Sequence, residues 1–180
     1  KINYENKINF IFTGGNAFNK GWHIVEESFE YLLKKYPNTI KLRVYGDKKK
    51  TLKSKINIFK NVEFFENFDH NDLNKILKWA DVGLVPSYFD TYNLILREFI
   101  NNQVIPITSN FFSVSDIITN NQNGIILKEN NSENLINSIE KIINNQNFKN
   151  ELQKNTFNTN IISDEQEYEK IINIYNKYVN

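Results

Sequence analysis

The chain alternates short apolar runs with longer stretches in which apolar residues recur every three or four positions. The run Ile8–Phe12 is rich in β-forming residues and ends in two glycines, which is typical of a buried strand leaving into a tight loop. From Trp22 the apolar residues recur at helical spacing, with charged residues between them. These apolar residues are Val25, Phe29, Leu32 and Leu33. A repeated strand, loop and helix predicts a parallel sheet with right-handed crossovers and helices on both faces.

The same pattern recurs along the rest of the chain. A helix is expected from Asp69, as its cap, to about Trp79, and another from about Tyr92 to Asn101. Beyond residue 127 the spacing is helical to the end, with one stripe around Ile139 and another around Tyr175. Further strands are predicted at Thr39–Tyr45, Val62–Phe65, Asp81–Pro86, Val104–Ile107 and Gly124–Leu127. We therefore predict one α/β domain over residues 1–180, a doubly wound, Rossmann-like parallel sheet with C-terminal helices.

The composition excludes several classes of function. The 22 basic residues nearly cancel the 21 acidic ones, so no strong positive field is available for a nucleic-acid partner. Two histidines and no cysteine are too few ligands for a zinc or iron–sulfur site. We expect no metal and no cofactor.

The sequence also bears on the location of the protein. No apolar run approaches the roughly 18 residues that would predict a transmembrane helix. The absence of cysteine removes any disulfide framework, and a cytoplasmic location is expected. The chain begins at Lys1 and almost at once enters a strand, so we expect a piece of a longer protein.

The loop after the first strand, Thr13 to Trp22, carries Gly14, Gly15 and Lys20. Glycines allow the backbone to approach a ligand closely, and a lysine just before a helix N-terminus suits a phosphate group. Equally, the glycines could simply turn the chain, with Lys20 in solvent. The spacing is neither that of a Walker loop nor that of a dinucleotide-binding fingerprint.

The loop from Pro86 leads into a helix whose first amides, from Tyr92 to Leu94, have no intrahelical acceptor. Those amides and the helix dipole would suit a diphosphate. Glu98 follows one turn later, where it would repel phosphate but accept hydrogen bonds from a vicinal diol. The alternatives are a helix-cap role for Asp90 and a local lysine pair for Glu98.

Several short motifs in order resemble the C-terminal domain of the GT-B-fold glycosyltransferases of family 4, the group 1 class. In that family a Lys-Gly follows the first glycine loop, and a Pro-Ser precedes an acidic residue, seven others and a glutamate. The corresponding elements are Lys20-Gly21, Pro86-Ser87, and Asp90 with Glu98. The resemblance runs from about Phe10 to Ile143.

The resemblance implies a role for each matching residue. Lys20 would hold the donor diphosphate in the loop of Gly14 and Gly15, and the amides of Tyr92, Asn93 and Leu94 would bind its distal phosphate. Asp90, beside Thr91, would contact hydroxyls of the transferred sugar and, with Lys20, form the catalytic pair. Glu98 would bind the ribose. The loop Glu66-Asn67-Phe68 would line the base pocket.

The resemblance also implies partners. These are a nucleotide-sugar donor and a glycan, lipid-linked or protein acceptor, the latter held by an N-terminal domain that is absent here. The stretch from about Asp164 would pack against that domain, and the isolated domain would be inactive alone. Transfer would retain anomeric configuration without metal, and the intact enzyme could lie peripherally at the inner membrane face.

Three positions depart from the family pattern. Gly14 stands where many members have arginine, Asp90 where glutamate is usual, and Asn93 where glycine is common. The missing arginine and Asp90 favour a rival function, a non-catalytic nucleotide-sugar-binding or assembly module that would keep the fold. A sugar-nucleotide epimerase of similar fold is a further alternative, which would need additional acid–base residues.

Overall fold

The structure is a computed structural model that describes residues 7–15, 17–46, 53–91, 93–159 and 164–179. Six strands form one sheet in which every pairing is parallel. The strands are β1 (Ile8–Phe12), β2 (Ile40–Tyr45), β3 (Val62–Phe65), β4 (Val82–Val85), β5 (Ile105–Thr108) and β6 (Ile125–Ile126). This confirms the predicted Rossmann-like α/β fold.

Six α-helices connect and follow the strands in the described part of the chain. They are α1 (Trp22–Lys35), α2 (Leu73–Leu77), α3 (Leu94–Asn101), α4 (Ser132–Asn144), α5 (Gln146–Asn158) and α6 (Asp164–Val179). Short 3₁₀ turns precede α1 at Phe18–Lys20 and α2 at His70–Asp72. The helix predicted from Asp69 to Trp79 is therefore much shorter, since Asp69 accepts a hydrogen bond from the amide of Asn71 at 2.9 Å and closes a turn.

The strand order is β3-β2-β1-β4-β5-β6. The chain builds one half of the sheet outward from β1, returns to the other side of β1 as β4, and continues outward to β6. Phe10 and Phe12 of β1 pair with Leu42 and Val44 on one side and with Val82 and Leu84 on the other. The reversal of strand order thus falls between β1 and β4, where a ligand crevice is expected at the carboxyl ends.

Two apolar clusters cover the two faces of the sheet. On one face, α1, α4 and α5 cover alternate strand residues such as Phe10, Leu42 and Leu84, all of which are buried. On the other face, α2 and α3 cover Ile11 and Val85. Helices on both faces agree with the continuous apolar character of the strands.

The last helix, α6, differs from the others. Its apolar side chains are exposed although they recur at helical spacing. The exposed members are Tyr168, Ile171, Ile172, Ile174, Tyr175 and Tyr178.

No helix within the described ranges is long and apolar enough to span a membrane.

Candidate functional site

A cavity of about 300 Å³ lies at the carboxyl ends of β1 and β4, where the strand order reverses. Its walls combine apolar strand ends with polar residues of the two following loops. The lining residues are Phe12, Thr13, Gly14, Lys20, Leu84, Val85, Ser87, Asp90, Asn93, Leu94 and Ile95. Two loops about 70 residues apart in sequence thus form one pocket, because β1 and β4 are neighbours in the sheet.

Gly21 brings the two loops together. Its φ of 78° lies in the left-handed region, and a Cβ there would sit 2.0 Å from the carbonyl oxygen of Pro86. A hydrogen bond also joins the two loops, in which the amide of Tyr88 donates to the carbonyl of Asn19 at 3.0 Å. The Lys-Gly and Pro-Ser motifs are therefore in direct backbone contact.

Gly14 is closely packed in the cavity wall. A Cβ at this position would lie 2.5 Å from the Phe12 ring and 2.7 Å from the Cβ of Lys20. The position where the resemblance leads us to expect arginine therefore accepts no side chain unless Phe12 or Lys20 moves. Here the first loop offers Lys20 as its cation at the cavity.

Gly15 supports the loop and does not line the cavity. Its amide donates to the carbonyl of Tyr45 at 2.9 Å, and its φ is 58°. A Cβ on Gly46 would meet the Cα of Gly15 at 2.2 Å, so the loops after β1 and β2 touch through two glycines. This contact fixes the first turn of the candidate site.

Lys20 and Asp90 form an ion pair across the two loops. The Nζ of Lys20 donates to Oδ2 of Asp90 at 2.8 Å. The lysine side chain is 40% exposed and the aspartate 15%, so the lysine remains open to solvent and to a ligand. The two residues that sequence reasoning placed together are in contact.

The helix α3 begins at Leu94, two residues later than the sequence predicted. Its cap is Asn93, whose side-chain oxygen accepts the amide of Leu96 at 2.9 Å. The cap role considered for Asp90 therefore belongs to Asn93, since Asp90 is paired with Lys20. Tyr92, a predicted contact, lies outside the described residues, whereas Leu94 is 60% exposed in the cavity wall.

Thr91 and Glu98 do not line this cavity. Thr91 is exposed, and its carbonyl accepts a bond from the hydroxyl of Ser113 at 3.4 Å. Glu98 is half-buried one turn beyond Leu94 on α3. The structure thus places Glu98 on the helix that opens onto the cavity, but outside its wall.

Glu66 and Phe68 line a second cavity of about 470 Å³ beside the ends of β2 and β3. Tyr45 stacks on Phe65 there at 4.8 Å between ring centroids. Burial raises the pKa of the Tyr45 phenol above its ordinary value. Arg43 also lines the cavity, and its guanidinium carbon lies 3.9 Å from the centroid of Trp79. The cavity therefore combines aromatic surface with charged residues of both signs, and the Arg43 guanidinium is the one packed against a ring.

Sequence reasoning missed an aromatic group near the first cavity. Phe18 stacks on His23 at 4.3 Å, and the Nε2 of His23 is 2.9 Å from the hydroxyl of Tyr88. Phe18 is 70% exposed and Tyr88 is 50% exposed. Each aromatic residue is visible in a loop or at a helix start, but their proximity depends on the pairing of β1 with β4.

Groups of three or more His, Cys, Asp or Glu side chains able to hold a metal are absent from the described ranges, 7–15, 17–46, 53–91, 93–159 and 164–179.

The sequence model of the family described as glycosyl transferases group 1 matches residues 1–159. Among curated proteins, none matches this chain. Solved structures show the same fold at low identity. The C-terminal domain of the group 1 family protein LpcC from Francisella tularensis is 20% identical, with a TM-score of 0.72. The alignment covers 84% of this chain and 83% of that domain.

Two longer structures are also similar. A TarM mutant from S. aureus, in complex with fondaparinux, alpha-GlcNAc-glycerol and UDP, is 21% identical with a TM-score of 0.78. The HepE protein of Anabaena, in complex with UDP and glucose, is 15% identical with a TM-score of 0.70. The chain is covered to 97% and 84%, yet it spans only 36% of the TarM chain and 42% of the HepE chain.

Proposed function

Because the chain belongs to the family of glycosyl transferases group 1, we propose that it binds a nucleoside diphosphate sugar and transfers the sugar as the donor half of a two-domain glycosyltransferase. The observation that carries the proposal is the Lys20–Asp90 pair at a cavity between β1 and β4. Cation, acid and helix N-terminus meet there at the reversal of strand order.

The diphosphate would occupy the space between Lys20 and the start of α3. Lys20 supplies a point charge that is 40% exposed, and Leu94 and Ile95, the first two residues of α3, line the cavity. Helix N-termini favour anions through free amides and the helix dipole. The phosphate would displace Asp90 as the partner of the Lys20 ammonium.

The chemistry would be leaving-group stabilisation and positioning. Charge grows on the diphosphate as the glycosidic bond breaks, and Lys20 with the helix amides would stabilise that charge. Asp90, released from Lys20, would accept hydroxyls of the transferred sugar and fix its orientation. We propose retention of configuration, a hexose as the transferred sugar, and no metal in this step.

The nucleoside would extend toward the second cavity. Tyr45, Phe65 and Phe68 offer aromatic surface for a base, and Glu66 offers a polar edge. Glu98, on α3 beyond the phosphate site, would accept the ribose diol. A carboxylate matches two neighbouring hydroxyls because both of its oxygens accept hydrogen bonds.

The acceptor would bind mainly to a second domain. This chain spans only 36% of the TarM chain and 42% of the HepE chain, and apolar residues of α6 are exposed. Such a stripe suits packing against another apolar surface. We therefore propose that the isolated domain binds donor without completing transfer.

One observation favours the rival, a non-catalytic binding module. Gly14 supplies no positively charged side chain, and its packing against Phe12 and Lys20 leaves no room for a larger residue at this position. In addition, the charge of Lys20 is already paired with that of Asp90. The rival predicts nucleotide-sugar binding by the full-length protein with no transfer to any acceptor.

Isothermal calorimetry with UDP and GDP tests the site. We expect one of them to bind, and Lys20→Ala to weaken it by about 10–100-fold, because hydrogen bonds to charged groups contribute about 1.5–3 kcal/mol. Glu98→Ala should weaken it by a similar factor. Lys34→Ala and Glu30→Ala are matched controls, since they remove an exposed ion pair on α1. Unchanged affinity in both site variants would remove the assignment.

A further inference from the structure

We propose that Asn93 is a positioning residue of the donor site, whose side chain holds the Asp90 carboxylate and caps α3 at the same time. The inference rests on the proposed function, because the acid that it orients is the one assigned there to the donor sugar. The sequence resemblance marked Asn93 as a departure from a common glycine and gave a role only to its backbone amide.

Both ends of the Asn93 amide are used. Its Oδ1 accepts the amide of Leu96 at 2.9 Å, and its Nδ2 donates to Oδ2 of Asp90 at 2.9 Å. The partners fix which end is which, since a backbone N–H requires an oxygen and a carboxylate requires a donor. Asn93 is only 3% exposed, so its geometry is held by packing as well.

The two donors to Asp90 share one oxygen. Among the described residues, Lys20 Nζ at 2.8 Å and Asn93 Nδ2 at 2.9 Å both bind Oδ2. The other oxygen, Oδ1, would then be the one that accepts a hydrogen bond from a sugar hydroxyl. This arrangement gives the short aspartate side chain a defined orientation.

The contribution of Asn93 grows when ligand binds. A diphosphate that takes the Lys20 ammonium removes one of the two donors from Asp90. Asn93 then holds the carboxylate against rotation and ties it to the start of α3, the same helix end that would bind phosphate. The sugar-binding carboxylate and the phosphate-binding helix end are thereby held at a fixed distance from each other.

The chain supplies a matched cap for comparison. Asn145 caps α5 through the same bond, its Oδ1 accepting the amide of Phe148 at 2.9 Å. It is exposed and lies away from the cavity wall. Serine caps a helix about as well as asparagine, so Asn→Ser at either position retains the cap. At Asn93 the same change also removes the donor to Asp90.

The experiment compares matched ligand pairs by calorimetry: UDP with UDP-glucose, UDP with UDP-N-acetylglucosamine, and GDP with GDP-mannose. The Kd of the nucleoside diphosphate divided by the Kd of its sugar nucleotide measures how much the sugar adds to the affinity. For the best pair of the wild-type chain, Asn93→Ser should reduce this ratio by about fivefold, since one hydrogen bond contributes about 1 kcal/mol. Asn145→Ser should leave both the ratio and the affinity for the nucleoside diphosphate unchanged.

Three results would overturn the inference. The first is a ratio in Asn93→Ser equal to that of the wild type. The second is an equal fall in Asn145→Ser, which would indicate a general cap effect. The third is a wild-type ratio of one for every pair, because Asp90 would then have no sugar contact to orient. Failure of the proposed function differs from all three, since the wild-type chain would then bind neither UDP nor GDP.

Discussion

Two Lys–Asp pairs lie at opposite edges of the same sheet and differ in almost every physical respect. At the carboxyl edge, Lys20 and Asp90 are 2.8 Å apart, with the lysine 40% exposed beside a cavity. At the amino edge, Lys149 of α5 and Asp81 are 3.8 Å apart, with side chains only 11% and 8% exposed. The same residue types thus occur once open and once enclosed.

The partners of the two aspartates explain the difference. Asp81 also accepts the amide of Asn9 at 2.9 Å, and its own amide donates to the carbonyl of Asn9, so it joins β1 to the start of β4. Asp90 is held by side chains, with Lys20 and Asn93 as donors. Backbone partners cannot be exchanged without unfolding, whereas a side-chain partner can be replaced by a ligand. The enclosed pair stabilises the fold, and the open pair is available for binding.

The largest effect should come from breaking the enclosed pair. Asp81→Ala removes the acceptor of the Asn9 amide and leaves the buried Lys149 ammonium unpaired. Loss of one partner of a buried pair costs about 3–5 kcal/mol of unfolding free energy. Urea denaturation measures it, with Glu30→Ala at an exposed pair as the control. A loss no greater than that of the control would erase the distinction between the two edges.

The second largest effect should come from the backbone beside the open Lys20–Asp90 pair. Gly21→Ala places a Cβ in left-handed backbone and 2.0 Å from the Pro86 carbonyl. The left-handed conformation costs about 1–2 kcal/mol, and relief of the contact must shift the Lys20 loop. We expect a lower urea midpoint together with weaker nucleoside diphosphate binding. A fall in stability at wild-type affinity would indicate that the contact does not position the loop.

Lys20→Ala should change stability less than either of these. An ion pair with one solvent-exposed partner contributes about 0–1 kcal/mol to the free energy of unfolding, so the urea midpoint of Lys20→Ala should stay near that of the wild type. The affinity loss expected for this variant would then occur without a matching loss of stability. Should urea denaturation show a loss as large as in Asp81→Ala, the open pair would be structural as well.

Salt should produce the smallest change. Exposed pairs are screened, with a Debye length of about 10 Å at 0.1 M ionic strength and about 3 Å at 1 M. The stability difference between the wild type and Lys20→Ala should shrink toward zero in 1 M NaCl. That between the wild type and Asp81→Ala should persist, because enclosed charges are screened little. Equal salt dependence in the two urea series would contradict the comparison.

The strands could be predicted closely from sequence. Runs such as Ile8–Phe12 and Val62–Phe65 are dense in β-forming residues and bounded by turn residues, and both have the predicted limits. The other four strands differ from their predicted limits by one residue, at one end in β2 and at both ends in β4, β5 and β6. The alternation of strands with helices also predicted a parallel sheet with helices on both faces, which the structure confirms.

The start of α3 could not be predicted, for a specific reason. Asp90 and Asn93 are both good cap residues, so local preference does not choose between them. The choice is made by Lys20, 70 residues away, which pairs with Asp90 and leaves Asn93 to cap the helix. The role of Gly14 could not be predicted either, because only the folded loop shows that Phe12 and Lys20 leave no space for a side chain there.

The reversal of strand order has a consequence for how the protein acquires its binding site. Strands β1, β2 and β3 can pair in the order of the chain, but the loop with Lys20 meets its partner loop only after β4 docks on the free side of β1. Contacts of such long sequence separation slow folding, because a large loop must close first. Ligand binding during refolding would therefore report the joining of the two halves of the sheet, and would follow the first helix and strand signals in time.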